Sequence, residues 1–241
     1  MAETKKNLKI RFEGRLDNLI INYGGKVLYS YKREKKKETG KTEKQKAAQS
    51  KTAITAALCS QMNQIPALQY IWKKWPDKER KPYRNMLAAN MRHTSPDHLT
   101  IRNIISPRSQ YFSKNYFKSI DTSGIDIVIE SQSPGTIETE TGKTFSVIVI
   151  ICLFNPIDKT KQSYKLYTLY TEIKDFKITE TYNIRLPFEP DAQKELGAYG
   201  NFVVYNTVVF AELTGAPRKW ISTNALEFEL NKQEGEGKTE I

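Results

Sequence analysis

Three copies of the triplet Gly-Lys-Thr raise the question of phosphate binding. They lie at residues 40–42, 142–144 and 237–239. A Walker loop needs another glycine five residues before the glycine of the triplet, so that backbone N–H groups can wrap the phosphates. Those positions hold Lys35, Ile137 and Lys232. We therefore expect no nucleotide site at any of the three triplets.

Metal-binding and nucleophilic patterns are also missing. His93 and His98 are the only histidines, and no HxxxH or Cys/His cluster accompanies them. Cys59 and Cys152 lie far apart without a CxxC spacing, which predicts two buried thiols in a reducing compartment, with a disulfide as the alternative. The chain contains no GxSxG motif for a nucleophilic serine.

One acidic pair, Glu138 and Glu140, alternates with threonines at residues 136–144. Paired carboxylates can perform acid–base catalysis. At the tip of a hairpin, however, this alternation is more typical of a solvated edge. The sequence therefore predicts no catalytic residue, no cofactor and no metal ion.

The strongest electrostatic feature is a lysine-rich run. Residues 26–52 contain ten Lys and Arg against three Glu. Such a run attracts a phosphate backbone, but it is poor in the arginine that base recognition prefers. Two interpretations stay open: a connector or assembly contact, and a contact to nucleic acid through Lys32–Lys51. The candidate contact residues are Lys32, Arg33, Lys35, Lys36, Lys37 and Lys41.

Positive charge is concentrated in the N-terminal part of the chain. Residues 1–97 carry 22 Lys and Arg against 9 Asp and Glu, a balance of +13. Residues 98–241 carry 16 against 18, a balance of −2. This asymmetry predicts two functional regions.

Trp72 and Trp75 share a helical stripe with Leu68 and Ile71. Packing in a core is the simpler interpretation of this stripe. A patch for a protein partner is the alternative, because aromatic residues are enriched at interfaces. Both tryptophans are therefore candidate assembly contacts.

The apolar periodicity changes along the chain and predicts an α+β, mostly β, protein. Residues 8–33 alternate around Gly24-Gly25, which predicts a β-hairpin. Ile54, Leu58 and Met62 then follow helical spacing, and prolines at 66, 76 and 82 divide the segment between Gly40 and Thr94 into two or three helices.

From residue 98 the period becomes two. About seven strands separated by turn signals predict an antiparallel, immunoglobulin-like β-sandwich. Predicted strands include Leu99–Ile105, Phe145–Phe154, Tyr164–Ile173 and one from Phe176. The predicted domains are a basic hairpin and helical unit at 1–97, the sandwich at 98–236 and a loose tail at 237–241.

The order of motifs resembles a family of uncharacterised Bacteroidota and phage-associated proteins. The likeness runs over residues 10–92 and includes residues 12–19, 25–27, 42–49, the helix with Trp72 and Trp75, and a helix ending at Asn90. Asp17 stands where the family has glycine, and Lys51 where it has arginine. The resemblance implies strands and helices followed by a β-sandwich, and a structural role.

These observations favour a non-enzymatic structural protein that self-assembles into a filament or particle, phage-like or at a cell surface. Its partner is a second copy of itself, in a head-to-tail arrangement. The alternatives are a nucleic-acid-binding protein and a sandwich enzyme whose site the sequence hides. No secretory signal and no membrane span are visible, so we expect a cytoplasmic, virion or non-classically exported protein.

Overall fold

The computed structural model describes residues 14–16, 19–24, 27–32, 40–76, 78–109, 115–131, 143–177 and 179–229. The chain divides into two compact units, Met1–Thr42 and Glu43–Ile241. The larger unit includes helices as well as the C-terminal strands. The boundary that the sequence suggests after residue 97 falls inside this unit.

The smaller unit contains a three-stranded antiparallel sheet in the order β1-β2-β3. Its strands are β1 (Gly14–Leu16), β2 (Leu19–Gly24) and β3 (Val27–Lys32). Gly24 pairs with Val27, so β2 and β3 pair as the predicted hairpin requires, and Gly25 of the predicted Gly-Gly turn lies outside the described residues. The predicted alternation at residues 8–12 lies outside the described residues.

Three helices open the described part of the larger unit, as the apolar spacing predicts. They are α1 (Glu43–Asn63), α2 (Pro66–Lys74) and α3 (Pro82–Met91). The last two begin with proline, whose fixed φ suits the first helical position. Ile54, Leu58 and Met62 of α1 are fully buried, so the predicted stripe faces the core.

The strands that follow form two antiparallel sheets in the described residues. The three-stranded sheet has the order β4-β5-β8, from β4 (Asn115–Asp121), β5 (Gly124–Ile129) and β8 (Tyr182–Pro187). The four-stranded sheet has the order β10-β9-β6-β7, from β6 (Phe145–Pro156), β7 (Tyr164–Ile173), β9 (Tyr199–Val209) and β10 (Asn224–Glu229). A short helix, α4 (Pro190–Leu196), precedes β9. The predicted α+β class with a strand-rich C-terminal part is confirmed.

The four-stranded sheet is covered on both faces. Val149 of β6 lies in one apolar core with Ile127 of β5, between the two sheets. Ile150, the next residue, lies in a second core with Leu58 and Trp72 of the helices. Because both faces of β6 are covered, its sequence is an unbroken apolar run rather than an alternation.

A buried polar network holds the segment after α3 against the helices. The Asn90 Oδ1 atom accepts the N–H of Ile104 at 2.7 Å, and its Nδ2 donates to the carbonyl of Ile104 at 2.9 Å. Asn103 donates to the Thr94 hydroxyl at 3.0 Å. The predicted strand at Leu99–Ile105 is wrong, because these side chains bond the backbone and replace a strand ladder.

The sequence-based prediction lacks β4 and α4, and it places the start of one strand too early. The register of β4 shifts between Phe117 and Ser119, which breaks its alternation. The helix α4 has seven residues, too few to show a helical period. The strand predicted from Phe176 begins at Tyr182 instead.

Candidate assembly site

β7 lies at the outer edge of the four-stranded sheet. All ten of its residues pair with β6, from Tyr164 opposite Phe154 to Ile173 opposite Phe145. In the described parts of the chain, no strand pairs with its other side. An edge of this kind presents a row of N–H and C=O groups that can template a further strand. β7 is therefore the best candidate for a functional surface.

The usual protection of an edge strand is missing from β7. Natural edges carry bulges, prolines or charges that discourage further pairing. β7 contains no proline, and its register against β6 is unbroken. Its two charged residues are engaged within the chain: Lys165 Nζ lies 3.3 Å from a carboxylate oxygen of Glu195, and Glu172 accepts the N–H of Leu213 at 2.6 Å.

A groove of about 520 Å³ opens beside the C-terminal half of β7. Tyr170 stands at this groove with 60% of its surface exposed. Ile65 and Pro66 give the groove an apolar wall, and Gln64 and Glu172 add polar groups. The remaining lining residues are Thr171, Leu213 and Thr214. An apolar side chain of an added strand fits such a groove, since pockets beside an edge give strand addition its specificity.

Hydrogen bonds to neighbouring elements fix the position of this edge. The carbonyl of Leu213 accepts the N–H of Ala67 at 2.9 Å, which joins the start of α2 to the segment after β9. The Thr168 hydroxyl donates to the Gln61 amide oxygen of α1 at 3.1 Å. A preorganised edge loses less conformational entropy when a strand is added.

The structure describes only part of the lysine-rich run. Arg33, Lys35, Lys36 and Lys37 lie outside the described residues. Lys32 is the last residue of β3, and only its backbone is described. Lys41 is exposed just before α1. The first turn of α1 contains a surface ion pair, Lys46 to Glu43 at 2.8 Å.

The two tryptophans pack together on the core side of α2. Trp72 is fully buried, and its indole N–H donates to the carbonyl of Ile105 at 2.9 Å. The Trp75 ring meets it edge to face, with ring centroids 5.3 Å apart, and is partly buried against the same core. The structure thus places both side chains in packing contacts.

The histidines also make local contacts. The His98 ring stacks on Phe154 with centroids 4.2 Å apart. His93 accepts a hydrogen bond from Arg92 at 3.1 Å, and burial, with help from the Arg92 charge, lowers the pKa of His93. Within the described residues no group of three or more His, Cys, Asp or Glu is placed to hold a metal ion.

Cys59 and Cys152 are buried free thiols. Burial raises the pKa of each thiol to about 12. The thiolate is the reactive form of cysteine, so neither side chain is suited to nucleophilic chemistry at neutral pH.

Sequence reasoning predicted β7 with its observed bounds. It also predicted contacts between copies through residues 8–33 or through strand edges, but it did not show which strand lies at an edge. Tyr167 and Leu169 belong to the core between the sheets, whereas Tyr164 and Leu166 pack against the core under the helices. Apolar residues on both faces are typical of a central strand. Only the order of the strands shows that β7 lies at an edge.

Comparison with known proteins gives no further guide, since no family model, curated protein or solved structure matches this chain. None of the described helices is both long and apolar enough to span a bilayer.

Proposed function

We propose that this chain is a non-enzymatic structural protein that self-assembles into a filament or particle by adding a strand of a second copy to β7. The observation that carries the proposal is the ten-residue edge, which is unpaired on its outer side in the described part of the chain and has its charges already engaged. Edge-to-edge pairing satisfies the exposed backbone groups.

The strand that we propose as donor is β3 of the next copy. It is the terminal strand of the order β1-β2-β3 and pairs only with β2 in the described residues. Pairing β3 of one copy with β7 of another is head-to-tail, which gives rings or open fibres. The balance of +13 in residues 1–97 against −2 in residues 98–241 favours contact between unlike regions.

We also propose that the two sheets form an immunoglobulin-like sandwich. With the seven strands lettered in chain order, one sheet is A-B-E and the other is G-F-C-D. Constant immunoglobulin domains have sheets ABED and CFG, so only the fourth strand changes sheet. In this arrangement strand D is β7. In the proposed assembly, the edge of each sandwich pairs with a strand of the next subunit. We propose two forms for this assembly, a phage-like particle and a cell-surface filament.

Mass photometry and negative-stain imaging of the purified chain test this function. We expect large regular assemblies, with an absorbance ratio at 260 and 280 nm typical of protein alone. Raising the salt concentration weakens any charge-steered association between the two regions. A monomer at all concentrations and at low salt contradicts the proposal.

Nucleic-acid binding by the lysine-rich run is the second candidate. Three lysines from the C-terminal half of this run, Lys41, Lys44 and Lys46, are exposed. Binding through Lys32–Lys51 weakens steeply as salt rises. Loss of binding when Lys35, Lys36 and Lys37 are replaced by glutamate is the expected result for this candidate.

A further inference from the structure

One charged residue lines the groove beside β7. Among the described residues around this groove of about 520 Å³, Glu172 alone carries a charge. Tyr170 lies two positions earlier on β7 and lines the same groove, so both side chains project from one face of the strand. Ile65 and Pro66 also line the groove. The groove therefore presents a single carboxylate beside an apolar wall.

A hydrogen bond holds the Glu172 carboxylate in place. Its Oε1 atom accepts the N–H of Leu213 at 2.6 Å. Leu213 is itself anchored, because its carbonyl accepts the N–H of Ala67 at 2.9 Å. A backbone N–H orients a carboxylate but does not neutralise it. The ion pairs found in the described residues involve other side chains, so Glu172 keeps its negative charge.

A lysine side chain matches this combination of an apolar wall and a fixed carboxylate. Lysine has an apolar stem that packs along apolar surface, and an ammonium at its tip. The Tyr170 ring, which is 60% exposed, offers a face to the same ammonium. A strand without a cation would cover Glu172 and leave a buried charge unpaired, which is unfavourable. The carboxylate thus discriminates between strands that could add to β7.

We propose that this groove binds Lys32 of the next copy, so that Glu172 selects the strand that adds to β7. The inference rests on the strand addition proposed above and names its specificity-determining contact. Lys32 is the last residue of β3 and pairs with Leu19 of β2, so it belongs to the donor strand itself. The balance of +13 in residues 1–97 gives the donor region the charge that complements Glu172.

This contact also sets the direction of the added strand. When β3 runs parallel to β7 with Lys32 opposite Glu172, Val27 lies opposite Tyr167, and all six residues of β3 fall within β7. In an antiparallel arrangement, the residues before Lys32 would run past Ile173, where β7 ends. The strand β3 therefore adds parallel to β7.

Removing the charge of Glu172 tests the contact in the full-length chain. Glu172→Gln keeps an oxygen that accepts the N–H of Leu213 but loses the negative charge. We expect the concentration needed for assembly, measured by mass photometry, to rise by about 10-fold. The matched control is Glu227→Gln on β10, an exposed glutamate at the other edge of the same sheet. We expect it to change this concentration by less than about 3-fold.

An exchange of charges tests whether Lys32 is the partner. Lys32→Glu brings two carboxylates together in the groove, so we expect assembly to weaken by about 100-fold or more. The double variant with Lys32→Glu and Glu172→Lys restores the pair and should assemble within about 10-fold of the parent chain. Circular dichroism confirms that each variant is folded. A double variant that does not recover overturns the inference, as does equal assembly of Glu172→Gln and Glu227→Gln.

The proposed function and this inference fail under different results. A parent chain that stays monomeric overturns both. Regular assembly of the parent that is unchanged in Glu172→Gln and in Lys32→Glu overturns the inference alone, and leaves self-assembly by another contact.

Discussion

β7 and β4 are both edge strands, but only β4 carries the features that protect an edge from further pairing. β4 carries a register shift between Phe117 and Ser119 and exposes Lys118 between them. β7 pairs without a break over ten residues, and its lysine is matched by Glu195. Bulges and free lysines are the devices by which proteins block edge pairing. By this criterion β4 is a protected edge and β7 is an unprotected one. We call them the closed edge and the open edge.

The β4 edge is also locked to its own sheet. Arg185 of β8 reaches across β5 and makes ion pairs of 2.7 Å with both Asp121 and Asp126. The backbone N–H groups of Ser123 and Gly124 donate to Asp121 at 2.7 and 3.0 Å. These bonds fix the β4–β5 turn.

The largest expected effect comes from placing a charge on the open edge. Tyr170→Lys puts an ammonium where an added strand packs, and an unpaired buried charge costs about 3–5 kcal/mol. We therefore expect the concentration needed for assembly to rise by about 100-fold or more, measured by mass photometry.

Tyr116→Lys is the matched control, because Tyr116 is an exposed tyrosine on β4, 44% accessible. We expect it to assemble like the parent chain. If both lysines block assembly equally, the contrast between the two edges is wrong.

A methyl group at Gly124 should destabilise the sheet that contains the closed edge, because Gly124 lies close to the neighbouring strand β8. A Cβ there meets the Leu186 carbonyl oxygen at 2.5 Å and Arg185 Nε at 3.0 Å. Since one of these neighbours is backbone, Gly124→Ala is expected to lower the free energy of unfolding by about 2–3 kcal/mol in urea titrations.

Gly197→Ala is the control for that variant, because its φ is −68° and its Cβ has open space. We expect its free energy of unfolding to change by no more than about 1 kcal/mol, towards greater stability. Equal losses in the two variants would mean that Gly124 is not sterically constrained.

Removing the partner of Lys165 should partly close the open edge. Glu195 lies within 3.5 Å of Lys161 Nζ and 3.3 Å of Lys165 Nζ. Glu195→Gln leaves Lys165 with an unmatched charge on β7, the condition that protects natural edges. We expect assembly to be roughly 3- to 10-fold weaker than that of the parent chain at low salt, and this difference to shrink as salt screens the charge.

The smallest expected effect is on the stability of the folded protein at acidic pH, through Asp121. The hydrogen bonds from Arg185, and then those from Ser123, hold the pKa of Asp121 well below its usual range. A carboxyl with a depressed folded pKa stabilises the protein above its unfolded pKa of about 3.9, and this contribution falls as pH drops through the folded pKa.

Asp121→Asn should therefore lower the urea midpoint slightly at pH 7. It should also flatten the decline in stability below about pH 4. Asp158→Asn is the comparison at an exposed turn, where hydrogen bonds from Thr160 also lower the carboxyl pKa. If only Asp158→Asn changes the acid profile, the Arg185 network is not what secures β4.

Local patterns predicted much of the fold. The prolines at 66 and 82 marked where α2 and α3 begin, and the apolar run predicted β6. These signals could be read because each lies within a few neighbouring residues. The alternation at Leu99–Ile105 gave a wrong strand prediction. This segment is a loop, and the side chains of Asn90 and Asn103 accept hydrogen bonds from its backbone. The bond between Ile104 and Asn90 joins residues 14 positions apart, and no periodicity reveals it.

The candidate site was less predictable than the fold. Trp72 was a candidate assembly contact because it is aromatic, with core packing as the simpler interpretation. In the structure it lies in the helix–sheet core. Tyr170 had no distinguishing neighbourhood in the sequence, and its exposure follows from the position of β7 at the end of the strand order. Edge position is a property of topology, so it becomes visible only once all the strands are placed.

Hydrogen–deuterium exchange on assembled and dissociated protein measures directly which edge strand pairs with a second copy. Amides of β7 and β3 should gain protection on assembly, since an added strand bonds their outward N–H groups, whereas those of β4 should exchange at the same rate in both states. Assembly without a change at β7, or with new protection at β4, would contradict the account.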